Sequence, residues 1–226
     1  NATGKVYFEM CENSSLLNLF FAETPSSYND GNWHHMATVR DGTQMRIIID
    51  GYIAVTVNNA AITNINNSTS LRLGSSSCNG FVGQLDETRL WSSARSQCNI
   101  YTNRLFEFSA TPGALLLNCH YNQGVANATN TSVTTLTDFS DYNNIGTLIG
   151  FDLSGTTSNW VDDGCNAQGN TSAPAIGTST ATGCNNYTWN GTTYTSSGMY
   201  TSTFNATNGC DSVSTLDLII GKPVSG

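Results

Sequence analysis

Residues 33–57 read WHHMATVRDGTQMRIIIDGYIAVTV, and this stretch decides the fold. Three strand-like runs alternate with two Asp-Gly pairs, Asp41-Gly42 and Asp50-Gly51. Asp-Gly between such runs is a strong hairpin signal, because glycine accepts the positive φ that a tight primed turn demands. The stretch therefore predicts a three-stranded antiparallel meander whose third strand covers Tyr52–Val57.

A second informative stretch follows at residues 80–91, which read GFVGQLDETRLW. Its apolar residues and its closing tryptophan predict one long strand over residues 81–91. Before the meander, residues 1–31 contain two further strand patterns, at Lys5–Met10 and Leu16–Phe21. All of these predictions are for β-structure, with no helical period among them.

The two stretches, in this order and about thirty residues apart, resemble the laminin-G/pentraxin-like branch of the concanavalin A-type jelly rolls. The resemblance implies an all-β fold, an antiparallel jelly-roll sandwich covering residues 1–163. Domains of this type have several more strands ahead of the meander than residues 1–31 supply. The resemblance therefore also implies that the first strands are missing or circularly displaced.

Composition limits the function classes. The 226 residues carry a net charge of −8, which argues against a nucleic-acid or anionic-membrane partner, because both need a basic face. Only 11% of the residues are charged, so Asn, Ser and Thr supply the polar surface. No stretch approaches the ~20 apolar residues that span a bilayer, so we expect no membrane insertion. This composition predicts an exported protein, located outside the cell or on its surface.

The second half of the chain divides into three parts. Residues 115–124 (LLLNCHYNQG) and 143–155 (NNIGTLIGFDLSG) resemble the closing segment of laminin-G-like domains in large secreted proteins of gliding and marine Bacteroidetes. Strands are predicted at Ala114–Tyr121, Gly146–Phe151 and Ser158–Val161. Residues 164–175 predict a linker, rich in Gly, Asn and Ser without an apolar period.

Residues 176–221 predict a small β module, and residues 222–226 a tail or the start of another linker. Period-two patterns and the Asn190-Gly191 pair predict hairpin strands in the module. It resembles a short β-sandwich-like repeat near the C-termini of Bacteroidetes adhesins that leave the cell by type IX secretion. The resemblance also implies O-glycosylation of Ser212, in the pattern Asp211-Ser212-Val213.

Seven cysteines, with no CxxC pair among them, predict disulfides rather than a zinc site. Cys184 and Cys210 are the only cysteines within the small module, so we predict that they are bonded to each other. Cys78 and Cys98 flank the strand at residues 81–91 and form the second predicted pair. The partners of the remaining three, Cys11, Cys119 and Cys165, stay open.

Catalysis has little support in the sequence. A glycosidase needs two carboxylates that face each other across a cleft. Glu9 and Glu12 lie three apart and Asp86 and Glu87 are adjacent, so in a strand each pair points to opposite faces. The same parity keeps His34 and its neighbour His35 from binding one ion together. We therefore predict a non-catalytic protein.

A calcium site is the one cofactor that the sequence predicts. Calcium takes six to eight oxygens, and laminin-G-like domains often hold one ion at the sheet rim. The resemblance implies Asp86 as a ligand, with Asp41 and Asp50 as alternatives. The competing interpretation is structural: Glu87 and Arg89 form an ion pair on one strand face, while Asp86 caps a loop.

The predicted function is a non-catalytic adhesion or surface-structure segment of a larger secreted protein. The alternative is a carbohydrate-binding module appended to a secreted polysaccharide hydrolase. Expected partners are a polysaccharide, a cell surface or a second copy of the chain. Four tyrosines lie in or beside predicted loops and could stack on sugars: Tyr28, Tyr52, Tyr101 and Tyr142.

Overall fold

The computed structural model describes residues 3–11, 19–58, 65, 68–74, 81–108, 112–161, 176–205 and 210–221. Within these ranges the fold is all-β with one short helix, which confirms the predicted fold class. Glu12, Cys78, Cys165 and the predicted linker lie outside the described residues. The boundaries at residues 163 and 176 stay predictions.

Fourteen strands and one helix make up the described chain. In order they are β1 Lys5–Cys11, β2 Leu19–Ser27, β3 Met36–Asp41, β4 Gln44–Ile49, β5 Tyr52–Asn58, β6 Thr88–Trp91, α1 Gln97–Asn103, β7 Leu115–Cys119, β8 Thr135–Leu136, β9 Gly146–Thr147, β10 Ile176–Cys184, β11 Tyr187–Trp189, β12 Thr192–Tyr194, β13 Gly198–Phe204 and β14 Ser212–Gly221. Two of the sheets have three strands, β3-β4-β5 and β10-β14-β13. The other four are two-stranded: β1-β2, β6-β7, β8-β9 and β11-β12.

The meander β3-β4-β5 forms as predicted, although its first turn is centred on Gly42 and Thr43, with Asp41 paired to Gln44. Between β4 and β5, Asp50 and Gly51 have φ of 55° and 87°, the two positive values of a type I′ turn. A side chain at Gly51 would also meet the ring of Tyr101, 2.5 Å from the added carbon, so glycine is required there twice over. The turn sequence thus fixes both the hairpin and the approach of α1 to it.

Strand β4 is buried on both of its faces. Met45, Ile47 and Ile49 pack against Phe20 and Ala22 of β2, so the β1-β2 hairpin covers one face of the meander. Ile48 points the other way and packs against two residues, Val39 of β3 and Ile100 of α1. The core therefore has a layer on each side of the central strand.

Some predicted strands are shorter than expected, and the helix was not predicted. The strand expected over residues 81–91 begins only at Thr88, because backbone pairing to β7 starts there. Ser158–Val161 is not a strand, and the one at Gly146–Phe151 ends at Thr147. The side chain of Ser96 caps the N-terminus of α1 by accepting a hydrogen bond from the Asn99 amide at 3.1 Å. A serine is a common N-cap residue, but this position was not predicted to begin a helix.

A buried carboxylate organises the turns after β7. Asp138 is 4% exposed and accepts hydrogen bonds from the backbone amides of Asn118, Ser140 and Asn144, each at 2.7–2.8 Å. The pKa of Asp138 is lowered, because these bonds and the Ser140 hydroxyl outweigh its desolvation. Asp138 thereby joins β7 to the loop that leads to β9.

The C-terminal module combines an antiparallel and a parallel strand pair. β14 pairs antiparallel with β13 and parallel with β10, and it buries Leu216 and Leu218 at 1% exposure. The predicted hairpin is present as β11 and β12, joined by Asn190 and Gly191 with φ of 47° and 80°. The parallel pairing has no short-range signal, and sequence patterns did not predict it.

The disulfide pairing predicted from the sequence is wrong. Cys98 in α1 is bonded to Cys210, with 4.6 Å between their Cα atoms, while Cys184 is free and exposed. The parallel register explains the difference: Ile176 lies opposite Val213, and Cys184 opposite Gly221. Cys210 precedes β14, whose other end lies beside Cys184; the strand alone is about 30 Å long at ~3.3 Å per residue, far beyond the ~7 Å limit for a bond. The predicted pairing of Cys98 with Cys78 fails too, since Cys98 is already taken.

The observed bond predicts unequal effects of two similar substitutions. Cys210→Ser opens a link between residues 112 positions apart, which should lower the free energy of unfolding by roughly 2–5 kcal/mol. Cys184→Ser, at a free and exposed thiol, should change it by less than about 0.5 kcal/mol. Urea denaturation of both variants measures the difference. Equal destabilisation, or a Cys184–Cys210 peptide in non-reducing peptide mapping, would contradict the observed pairing.

Candidate functional site

The antiparallel ladder β6-β7 places polar side chains on one face. Thr88 lies opposite Cys119 and Arg89 opposite Asn118. Glu87 and His120 come directly outside this ladder, and side-chain contacts place them: Glu87 pairs with Arg89, and His120 lies against Asn118. The four side chains form one polar patch. The other face is apolar and packs Leu117 and Cys119 against Leu136.

Arg89 is held at the centre of this patch by several contacts. Its Nη2 donates to Oε2 of Glu87 at 2.6 Å, and Nη1 donates to the Asn103 carbonyl at 3.0 Å. Nη2 also donates to the Phe106 carbonyl, and the guanidinium lies 4.4 Å from the ring centre of Phe108. Because its side chain is only 9% exposed, this is a buried ion pair that fixes the orientation of Glu87.

His120 is buried beside a second carboxylate. Its Nδ1 lies 3.3 Å from Oε1 of Glu107, and its Nε2 lies 2.8 Å from Nδ2 of Asn118. The ring stacks on Phe139 with centroids 4.4 Å apart and planes 4° apart. Oε2 of Glu107 accepts from Nδ2 of Asn122 at 2.8 Å. Every one of these side chains therefore has a defined orientation.

Among the described residues, one group of three His, Cys, Asp or Glu side chains brings its ligand atoms together. It consists of Glu87, Glu107 and His120, whose ligand atoms all lie within 4.8 Å of one another. Two carboxylate oxygens and one imidazole nitrogen are donors that suit a divalent metal ion. We call this group the Glu-Glu-His cluster.

The three aspartates predicted to bind calcium are engaged elsewhere. Asp86 accepts from the Glu87 amide through Oδ1 at 2.9 Å, and Asp41 lies 3.8 Å from Nη2 of Arg46. The two Asp50 oxygens accept from the His35 amide and from Nδ1 of His34, at 2.9 Å and 2.8 Å. The ion pair expected between Glu87 and Arg89 is present, and calcium binding at Asp86 stays a prediction.

Asp50 and His34 form a clamp at the rim of the meander. His34 Nε2 also lies 3.2 Å from Oδ1 of Asp30, so the imidazole bridges two carboxylates through opposite ring nitrogens. The hydrogen bond to Asp50 is the largest cause that raises the pKa of His34. The clamp therefore ties the loop before β3 to the turn between β4 and β5.

The neighbouring His35 behaves in the opposite way. It lies on the inner face of the meander with Ala37 and Val39, as strand parity predicts. Burial lowers its pKa to about 4, with Arg89 as the second cause, and its Nδ1 has no hydrogen-bond partner. His35 is thus a half-buried residue that favours its neutral form.

An exposed aromatic surface lies beside the same turn. Tyr52 is 46% exposed, and its ring meets that of Tyr101 edge-on at 5.7 Å. The guanidinium of Arg104 lies 4.0 Å from the Tyr101 ring centre, and Gln97 donates to the Gly51 carbonyl nearby. We call Tyr52, Tyr101 and Arg104 the tyrosine surface.

The other two predicted sugar-stacking tyrosines lie apart from this surface. Tyr28 is half-buried against the core and meets the His34 ring edge-on at 5.3 Å. Tyr142 is 60% exposed in the loop after Asp138. The predicted glycosylation residue Ser212 is the half-buried first residue of β14, and its modification stays a prediction.

Two residues of the Glu-Glu-His cluster were missed by sequence reasoning. Glu107 and His120 lie 20 and 33 positions after Glu87, and no spacing rule connects them. Only the β6-β7 register, together with the turn of chain that follows α1, brings them to Glu87. His120 lies within the LLLNCHYN segment, whose resemblance to laminin-G-like domains was recognised without a role for this histidine.

Comparison with known proteins covers the first part of the chain. Residues 1–101 match the family model Laminin_G_3, described as the concanavalin A-like lectin/glucanases superfamily. This match supports the jelly-roll resemblance for the meander and the strands before it. The resemblances of residues 99–164 and of the C-terminal module to Bacteroidetes proteins stay predictions.

No curated protein matches the chain. Among solved structures, an S-layer domain-containing protein from Clostridium thermocellum (residues 221–444) is 20% identical, with a TM-score of 0.27. The similarity covers 45% of this chain and 52% of that one, so it spans about half of each. In the described residues, no helix is long and apolar enough to cross a membrane.

The two adjacent histidines predict opposite pH effects. His35 has a lowered pKa in the folded protein, so it takes up a proton on unfolding. Its contribution to the free energy of unfolding, up to roughly 3 kcal/mol, is therefore lost as pH falls from 6.5 to about 4. His34, with its raised pKa, gives a contribution that is fully present below pH 6.5 and lost as pH rises through its folded pKa.

Chemical denaturation at pH 7.5 and 4.5 checks both signs. His35→Leu should lose less stability on acidification than the unmodified chain, whereas His34→Gln should lose more. The other acidic groups are common to all three proteins, so they cancel in the comparison. Identical acid losses in the three proteins would show that neither histidine is coupled to folding in this way.

Proposed function

We propose that this chain is a non-catalytic extracellular segment that attaches to a polysaccharide or a cell surface. The match of residues 1–101 to the concanavalin A-like superfamily supports an extracellular binding module. The acidic, weakly charged composition supports the same location. Adhesion within a larger secreted protein is the leading form of this proposal.

The tyrosine surface is the observation that carries the proposal. An exposed tyrosine offers a flat apolar ring with a polar hydroxyl, which suits the C–H faces and hydroxyl groups of a sugar. Tyr52 provides such a ring, and the half-buried Tyr101, with the Arg104 guanidinium 4.0 Å from its ring centre, supports it edge-on. The turn at Asp50-Gly51 and the capped helix α1 hold these groups on rigid elements, which lowers the entropy cost of binding.

The absence of catalysis rests on the engagement of the acidic groups. Glu87 is paired with Arg89 at 2.6 Å, and Asp86 is used by the neighbouring backbone amide. Glu9 lies exposed on β1, opposite Phe21 of β2. Glycoside hydrolysis needs a carboxylate free to act as the acid and another opposite it. We therefore propose binding without turnover.

A carbohydrate-binding module attached to a secreted hydrolase is the second candidate. The same tyrosine surface favours it, since ring stacking on sugars serves an appended module as well as an adhesin. The two forms differ in the rest of the polypeptide: further β modules accompany an adhesin, whereas a catalytic domain accompanies an appended module. Sequencing the parent polypeptide separates them.

Substitution of Tyr52 tests the binding surface. We expect Tyr52→Ala to weaken retention on insoluble cellulose or chitin, or binding to soluble laminarin, by about tenfold, because one stacking ring is lost. Tyr7→Ala is a matched control, since Tyr7 is 45% exposed on β1, in another sheet. Affinity electrophoresis and pull-down measure both variants.

Two outcomes would contradict the proposal. Equal loss with Tyr7→Ala and Tyr52→Ala would show that the tyrosine surface has no special role. Release of reducing sugar from laminarin, abolished by Glu87→Gln or Glu9→Gln, would show that the chain is an enzyme.

Calcium at Asp86 is a separate part of the proposal. Asp86 is a half-buried carboxylate just before β6, at the position that the family resemblance implies. Calcium added to metal-free protein should raise the melting temperature, with a stabilisation of about 2.7 kcal/mol at one hundred times the dissociation constant. Asp86→Asn should remove this response, whereas Asp41→Asn should keep it. A melting temperature that does not respond to calcium would leave Asp86 as a loop cap alone.

A further inference from the structure

We propose that the Glu-Glu-His cluster is a binding site for a divalent transition-metal ion of the zinc class. The site would use one carboxylate oxygen each from Glu87 and Glu107 and Nδ1 of His120. It is distinct from the calcium proposal at Asp86 and does not depend on the binding function.

Each of the three candidate ligands is held by a partner on its other polar atom. Arg89 engages Oε2 of Glu87, and Asn122 engages Oε2 of Glu107. These contacts leave the second oxygen of each carboxylate for a metal, and Oε1 of Glu107 already lies 3.3 Å from Nδ1 of His120. Metal sites in proteins have this construction, in which outer partners orient the ligands.

Asn118 is a buried amide in contact with the third candidate ligand, His120. It is 1% exposed, and its Oδ1 is buried without a hydrogen-bond partner, while its Nδ2 lies 2.8 Å from Nε2 of His120. The oxygen and nitrogen of an amide are nearly the same in shape, so the group can turn over in place. The turned amide directs Oδ1 to Nε2, where it accepts the imidazole proton.

That exchange fixes the tautomer that a metal site needs. With its proton on Nε2, neutral His120 presents an unprotonated Nδ1 on the side of Glu107 and Glu87. Amide-to-imidazole hydrogen bonds of this kind set the ligating nitrogen in metal sites. In this orientation Asn118 holds the imidazole proton on Nε2, and the ring also stacks on Phe139.

The donor set selects the class of ion. Imidazole nitrogen suits zinc and neighbouring transition metals, whereas calcium prefers six to eight oxygens. Glu87 and Glu107 carry two negative charges, and the adjacent Arg89 balances one of them. A divalent cation would change the net charge of Glu87, Glu107 and Arg89 from −1 to +1, so the imidazole, and not the charge, selects the zinc class.

The clamp at His34 differs from the Glu-Glu-His cluster in the geometry of its possible ligand atoms. His34 also lies near two carboxylates, but Asp50 contacts Nδ1 and Asp30 contacts Nε2. One ion cannot reach both nitrogens of a ring, so this clamp cannot bind a metal with all three groups. In the Glu-Glu-His cluster the three ligand atoms lie within 4.8 Å of one another.

Isothermal titration of the metal-free, non-reduced 226-residue chain with zinc chloride tests the proposal. We expect one zinc ion per chain at this site. Glu107→Gln should weaken zinc binding at least tenfold, because loss of even an outer partner of a metal ligand has an effect of that size. Glu107 is half-exposed, so this isosteric change should leave the fold intact, which circular dichroism checks. Glu23→Gln, at the ion pair with Lys5 on β1-β2, is the matched control and should bind as the unmodified chain does.

Cobalt substitution identifies the ligands, since it reports whether a thiolate contacts the ion. We expect the visible absorption of bound cobalt to lack a thiolate-to-cobalt charge-transfer band. This absorption should be lost in Glu107→Gln and kept in Cys184→Ser. The proposal is overturned if zinc does not bind, if Glu107→Gln and Glu23→Gln bind it equally, or if a thiolate band dominates. Displacement of zinc from this site by an equal concentration of calcium would also overturn it.

Discussion

Burial of β4 on both faces is the constraint on which the rest of the structure depends. Met45, Ile47 and Ile48 are fully buried, yet consecutive strand residues point to opposite sides of a sheet. A strand with apolar residues on both faces has to be covered twice, and at roughly 1.5–3 kcal/mol per buried side chain neither face can be left in water. The β1-β2 hairpin covers one face and Ile100 of α1 contributes to the cover of the other, which brings the tyrosine surface to the rim of the meander.

The parts of this fold that the sequence predicted are those encoded over a few residues. Asp50-Gly51 and Asn190-Gly191 have the positive φ values of primed turns, and each lies between strands that pair as expected. The disulfide was mispredicted because it depends on long-range pairing. Cys184 and Cys210 share a module, yet the parallel register of β10 and β14 places them at opposite ends of a strand.

The candidate metal site shows the same limit for function. The ion pair of Glu87 with Arg89 could be predicted locally, because the two residues lie two positions apart. The partners Glu107 and His120 depend on the β6-β7 register, which has one bulge, between Leu90 and Trp91, and no turn that fixes it. A shift of that register by one residue would place His120 on the apolar face and leave Glu87 with Arg89 alone.

The distribution of charge connects the two candidate surfaces. The chain has only eight Lys and Arg residues, and three of them, Arg89, Arg95 and Arg104, lie over aromatic rings in the segment between β6 and the loop after α1. These cations are committed to structure, where ring and guanidinium stabilise each other by about 0.5–2 kcal/mol. The sixteen Asp and Glu residues outnumber the eight Lys and Arg residues of the chain, so its net charge is negative. Such a surface repels polyanions and attracts cations, so the proposed metal ion and a proposed uncharged polysaccharide are compatible with its charge.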